Sequence, residues 1–149
     1  MKYDWSRLNH LRLGRYAEYF TKMALTLHGI DIYTSDVDDR GIDFIARTTS
    51  GSFYEVQVKS LRESGYIFHQ KSLFELKPNL ISAVVIFRNS EPPHLFLIPA
   101  LEWLKPNALL RDRDYEGKQS DPEWGINVSK KNWPLLEQYA FEQMLSVLK

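Results

Sequence analysis

The chain of 149 residues contains no cysteine, so disulfides, thiolate metal sites and a thiol nucleophile are all excluded. It carries no excess charge: 19 basic and 19 acidic residues give a formal net charge of zero. A broad, sequence-blind polyanion binder is normally strongly basic, so any nucleic-acid contact should be a local basic surface. Long apolar runs are missing too; Ala83 to Phe87 is far too short to cross a bilayer, and no membrane partner is expected. The N-terminus, MKYDWSRLNHLRLG, has no apolar h-region, so neither a signal peptide nor secretion is expected, and the cytoplasm is the expected compartment. No internal repeat, low-complexity run or linker interrupts the chain, and no phosphate-binding glycine loop or serine nucleophile elbow is found. Without such a loop no organic cofactor is expected.

Aromatic residues are plentiful, at 13%, and suit a core or an interface equally. A chain of this length can bury a core, and a single domain over residues 1–149 is expected. From Ser6 to His28 the pattern is helical, with Ser6 or Asp4 as cap and Gly29 as terminator. Leu8, Leu11, Tyr16, Phe20, Met23, Ala24 and Leu27 are predicted to face the core, with Gly14 and Glu18 one turn apart on one face. Short strands follow at Ile30 to Tyr33, Ile42 to Arg47 and Phe53 to Ser60, the last two joined by a hairpin that uses Gly51. A short helix is expected between Gln70 and Lys77, then strands at Ala83 to Phe87 and Leu95 to Ile98. Residues 108–124 read as polar and unpatterned. A C-terminal helix should start near Asn132, with Pro134 in its first turn and Leu136, Tyr139, Ala140, Met144 and Val147 as its apolar stripe. These elements predict an α/β fold with helices on a mixed sheet.

Alternation along Phe53 to Lys59 puts Tyr54, Val56 and Val58 on one face and Glu55, Gln57 and Lys59 on the other. If the preceding strand pairs across the Gly51 turn, Asp43 comes close to Gln57. A carboxylate, an amide oxygen and a lysine at one point suit metal-assisted phosphodiester hydrolysis. Hard oxygens fit Mg²⁺, which also takes phosphate oxygens, and a lysine can orient water or offset developing charge.

Asp43, a hairpin-length gap and Gln57-Val58-Lys59, following a helix with Glu18, resemble the PD-(D/E)XK nuclease superfamily in a variant with Gln before X-Lys. The segments "GRYAEYF" and "GID…VQVKS" are similar to Holliday-junction-resolvase-like and Mrr-like members. The resemblance implies a restriction-endonuclease-like core of helix, three-stranded antiparallel meander, helix and strand over residues 6–88, with a C-terminal extension over 89–149. It also implies Asp43, Glu18, Gln57 and the carbonyl of Val58 as metal ligands, with Asp43, Gln57, Lys59 and Glu18 as the catalytic set. Mg²⁺ or Mn²⁺ is the implied cofactor, DNA the implied substrate and a homodimer the implied assembly. Gln57 departs from the usual acid and lowers the negative charge of the site. Glu55 shares its face but lies two residues from Gln57, about 6–7 Å along the strand.

Other residues are weaker candidates. Arg12, Arg15, Lys71 and Gln70 are candidate nucleic-acid contacts, beside Arg7, Lys77, Lys130 and Lys131; a solvated mixed-charge surface explains them equally well. His69 and Gln70 follow the lysine strand closely enough to line a cleft, while the other histidines show no ligand spacing. Asp36 to Gly41 begins like a calcium loop, but Arg40 and Arg47 fall where acids are required, which rejects it. Trp103, Trp124 and Trp133 suit packing better than base stacking. Two further functions compete with a nuclease: a catalytically inactive nuclease-fold module that binds nucleic acid or protein, favoured by Gln57, and an interaction protein unrelated to nucleic acid.

Overall fold

The computed structural model describes residues 2–37 and 41–148. Residues 38–40, part of the Asp36 to Gly41 segment that begins like a calcium loop, lie outside them.

The first helix is shorter than its periodicity suggests. A 3₁₀ turn at Trp5–Arg7, capped by Asp4, precedes α1 at His10–Leu27. The side chain of Asn9, not Ser6, accepts the Arg12 N–H at 2.9 Å and caps α1. The buried stripe is Leu13, Ala17, Thr21 and Leu25, flanked by half-buried Tyr16, Phe20 and Ala24. Leu11, Met23 and Leu27, expected in the core, are exposed instead. Apolar residues occur around much of this helix, so spacing alone did not select the stripe that meets the sheet. The small side chains of Ala17 and Thr21 do, because they let α1 sit close on its neighbours.

The main sheet has five strands in the order β1-β2-β3-β5-β6. β1 (Asp31–Tyr33), β2 (Phe44–Arg47) and β3 (Phe53–Arg62) form the antiparallel meander expected from the sequence. Gly51, at φ +90°, supplies the positive φ of the β2–β3 turn. β5 (Leu80–Phe87) runs parallel to β3 from Glu55↔Leu80 to Arg62↔Phe87 and is buried throughout. β6 (His94–Pro99) pairs antiparallel with β5 at the edge.

The crossover from β3 to β5 differs from expectation. In place of a helix between Gln70 and Lys77 there is a 3₁₀ turn at Lys71–Leu73, preceded by an unexpected strand, β4 (Gly65–Gln70). Phe74 of this crossover is fully buried, so the segment packs against the core without helical repeat. Residues 108–124 are not unpatterned either. They hold β7 (Leu110–Arg113) and the start of β8 (Glu123–Val128), which with β4 build a second sheet, β4-β8-β7. One hydrophobic cluster joins both sheets, with Ile126 and Leu110 continuous with the β5 residues. The C-terminal segment is two short helices, α2 (Trp133–Glu137) and α3 (Phe141–Leu145). They are interrupted where Ala140 bridges Phe96 and the Leu97 N–H donates to the Tyr139 carbonyl at 2.9 Å. Leu136, Tyr139 and Met144 are buried as expected, whereas Val147 is exposed. No helix among the described residues is long and apolar enough to cross a membrane.

Candidate active site

β3 carries the centre of the site, with antiparallel β2 on one edge and parallel β5 on the other. β2 pairs with it only from Phe53 to Val56, so β3 runs on past the start of β2 with one edge uncovered. Asp43 fills that edge. Its N–H donates to the Val56 carbonyl at 2.9 Å, and its Oδ2 accepts the Val58 N–H at 2.6 Å. Backbone and side chain of Asp43 therefore grip β3 on either side of Gln57. In an extended strand the N–H and C=O of one residue point to the same edge. The Val58 carbonyl therefore points to the edge that Asp43 occupies.

Gln57 is 6% exposed. Its Nε2 donates to the Leu73 carbonyl at 2.7 Å, which turns Oε1 away from that carbonyl and toward Gly41. Glu55, on the same face, is ion-paired with Lys77 and cannot stand in for an acid at Gln57. Lys59 is half-buried, and desolvation lowers its ammonium pKa, an effect partly opposed by the nearby Asp43 carboxylate.

The register extends this polar face onto β5, where Ser82 lies opposite Gln57. Ser82 Oγ bonds His69 Nε2 at 2.6 Å. His69 is 1% exposed, stacked on Phe74 at 4.1 Å between ring centroids, with Trp103 at its edge. Its Nδ1 is buried with no hydrogen-bond partner. Burial, and secondarily the Lys59 charge, hold its pKa well below the usual imidazole range, so the ring is neutral. A cleft of about 640 Å³ opens beside these groups, lined by Gln57, Lys59, His69, Tyr66, Gly14 and His10 among others.

Of the residues predicted from sequence, Asp43, Gln57, Val58 and Lys59 come together. Glu18 is instead engaged within its own helix, with Lys22 Nζ at 3.1 Å and Arg15 at 3.6 Å. Among the described residues no three carboxylates or imidazoles form a metal cluster. The oxygens on offer are one carboxylate, one neutral amide and one backbone carbonyl. All are hard donors of the kind that hold Mg²⁺ together with water and phosphate oxygens, so the set fits such an ion.

Lys71 is engaged within the chain: it is ion-paired with Asp112 and Asp114 and sits 3.9 Å over the Trp124 ring. Gln70 is exposed at the cleft rim, and Arg12 and Arg15 are exposed on α1. Ser82 was missed from sequence; a lone hydroxyl in the apolar run Leu80 to Phe87 was the available signal.

No family model matches this sequence. No curated protein matches it either. Among solved structures, the chain is similar to Hjc of Archaeoglobus fulgidus, a Holliday junction resolvase from an archaeal hyperthermophile. The TM-score is 0.51 at 12% identity, over 82% of this chain and 88% of that one. At that identity the likeness is one of architecture, and the mixed sheet with its flanking helices is a restriction-endonuclease-like fold.

Proposed function

We propose that this protein is a metal-dependent nuclease that hydrolyses DNA phosphodiester bonds in the cleft beside Asp43, Gln57 and Lys59. The observation that carries this reading is the double grip of Asp43 on β3, which holds its carboxylate against the Val58 N–H, between Gln57 and Lys59 in the strand. Mg²⁺ or Mn²⁺ would be held by Asp43, Gln57 and the Val58 carbonyl. When bound it would acidify or orient a water and offset charge on the phosphate. Lys59, half desolvated, is placed to hold the attacking water or to stabilise the charge developing on phosphate oxygens. Asp43 partly offsets the desolvation of that lysine and so serves both groups. Glu18 would join the ligand set only by releasing Lys22 and Arg15, which makes it a supporting residue in this reading. The name of the Archaeoglobus protein, a Holliday junction resolvase, supports DNA as the substrate class. Pairing of two copies, each supplying one cleft, completes the proposal for duplex cleavage. The test is a screen of duplex, junction and single-stranded DNA with Mg²⁺ or Mn²⁺, against a chelator control. Metal-dependent products are expected; their absence across all forms would remove the activity.

A second reading has its own support. Gln57 is neutral and no cluster of three acids or histidines exists among the described residues, which favours a nuclease-fold module that binds without cutting. Titration with Mn²⁺ separates the two: saturable binding lost in Asp43→Ala supports the first, and no binding at millimolar metal supports the second.

A further inference from the structure

The second sheet turns one face away from the core. Cross-strand partners share a face, so the register defines rows across β4, β8 and β7. One row is Phe68, Gly125 and Arg111; the next is Gln70, Glu123 and Arg113. Tyr66 precedes Phe68 on the same face of β4 and lies opposite Asn127. The inward rows are different: Ile67, Ile126 and Leu110 pack into the core.

The outward face is flat for a structural reason. A Cβ on Gly125 would overlap the Tyr66 hydroxyl and ring, so glycine there lets the tyrosine lie down across β8. Its hydroxyl is anchored to Glu123, which is 5% exposed, so the only acid in these rows is buried and engaged. Tyr66 and Phe68 are stacked at 6.2 Å with planes 25° apart, and the Arg113 guanidinium covers Tyr66 at 4.2 Å. Phe68 is left 43% exposed, with exposed Arg111 in its own row. Asp112 points to the opposite face, where it pairs with Lys71. The face therefore offers open aromatic surface beside guanidinium groups, and the one carboxylate in its rows, Glu123, is buried against the Tyr66 hydroxyl while also acting on Arg113. Tyr66 and Phe68 also line the cleft that holds Lys59.

We propose that the outward face of β4-β8-β7 is a platform for an unpaired nucleic-acid strand, with a base stacked on Phe68 and phosphates met by Arg111 and Arg113. Aromatic faces stack on any base, and guanidinium groups beside them track the backbone, so such a surface selects single strand over duplex. Because β4 also lines the cleft, the platform would deliver that strand to the site. This last step rests on the nuclease reading; the binding itself does not.

The test is fluorescence anisotropy of a labelled single-stranded oligonucleotide and its blunt duplex, in a chelator so that cleavage does not enter. The single strand should bind more tightly than the duplex, and Phe68→Ala should weaken it about tenfold. Phe68→Tyr should keep the affinity. Arg111→Gln should reduce the slope of log affinity against log salt by about 0.7. Circular dichroism checks each fold, and Arg111→Gln, an exposed change, keeps the proposal testable should Phe68→Ala unfold. Wild-type affinity in folded Phe68→Ala, an unchanged salt slope in Arg111→Gln, or tighter binding of blunt duplex would each overturn it. A protein that binds in this Phe68-dependent way yet cuts nothing supports the platform and removes only the nuclease reading.

Discussion

Asp43 and Val58 are tied by a hydrogen bond of 2.6 Å from the Val58 N–H to the Asp43 carboxylate, at the point where β3 outruns β2. The bond completes the ladder with a side chain and places a negative charge against the uncovered edge. Asp43→Ala should therefore affect both stability and chemistry. A charge-assisted bond to a partly buried N–H suggests a loss of about 1.5–3 kcal/mol in urea denaturation, together with loss of metal binding. Asp43→Asn, which can still accept the bond, should recover much of the stability and none of the metal affinity.

Gln57→Glu should move the two properties in opposite directions. The Nε2 donor to the Leu73 carbonyl disappears and a carboxylate faces that carbonyl, which should cost about 1–3 kcal/mol without metal. With Mn²⁺ the added charge should tighten binding, so the melting temperature should rise more on metal addition than in wild type. Calorimetric titration and paired melts read both effects.

His69 makes stability depend on acidity. Its folded pKa is depressed, so the folded state holds the ring neutral while the unfolded chain takes up a proton below about pH 6.5. Stability is thus fully present above that pH and falls on acidification through the window down to the folded pKa. The slope from this group should approach about 1.4 kcal/mol per pH unit. Urea titrations across pH 4 to 7 (about that range suffices) should show the slope in wild type. His69→Gln, which can still bond Ser82 but cannot titrate, should lose that contribution.

Gly125→Ala should destabilise the second sheet by about 1–3 kcal/mol, because Tyr66 lies where the new methyl would stand. Combining it with Tyr66→Ala should recover part of that loss, a coupling that thermal melts of the double-mutant cycle would measure.

Much of the main sheet was legible in the sequence. Alternation around Gln57 and Lys59, and the Gly51 turn, place β2 and β3 where they stand, and Asp43 beside Gln57. What escaped was set by contacts distant in the chain. β4 is held by β8 across more than fifty residues (Tyr66 opposite Asn127), and the outward faces of β4, β7 and β8 are half polar, so no local run marks them. The Gln70 to Lys77 crossover buries Phe74 without helical repeat, and its turn is tied to β3 through Gln57. Glu18 shows the limit of spacing on a helix. It sits one turn past Gly14 as expected, yet Lys22 and Arg15, at matching helical distance, engage its carboxylate. Lys71 looked available for phosphate because Asp112 and Asp114 are some forty residues away in the chain.

The central claim is that one cleft, built on Asp43 and Lys59, cuts DNA. The most direct measurement is the rate of product formation from labelled DNA with Mn²⁺, comparing wild type with folded Lys59→Ala at equal concentration. A fall of at least about a hundredfold is predicted, as expected when a group that stabilises developing charge is removed. Cleavage by Lys59→Ala at the wild-type rate would contradict the account.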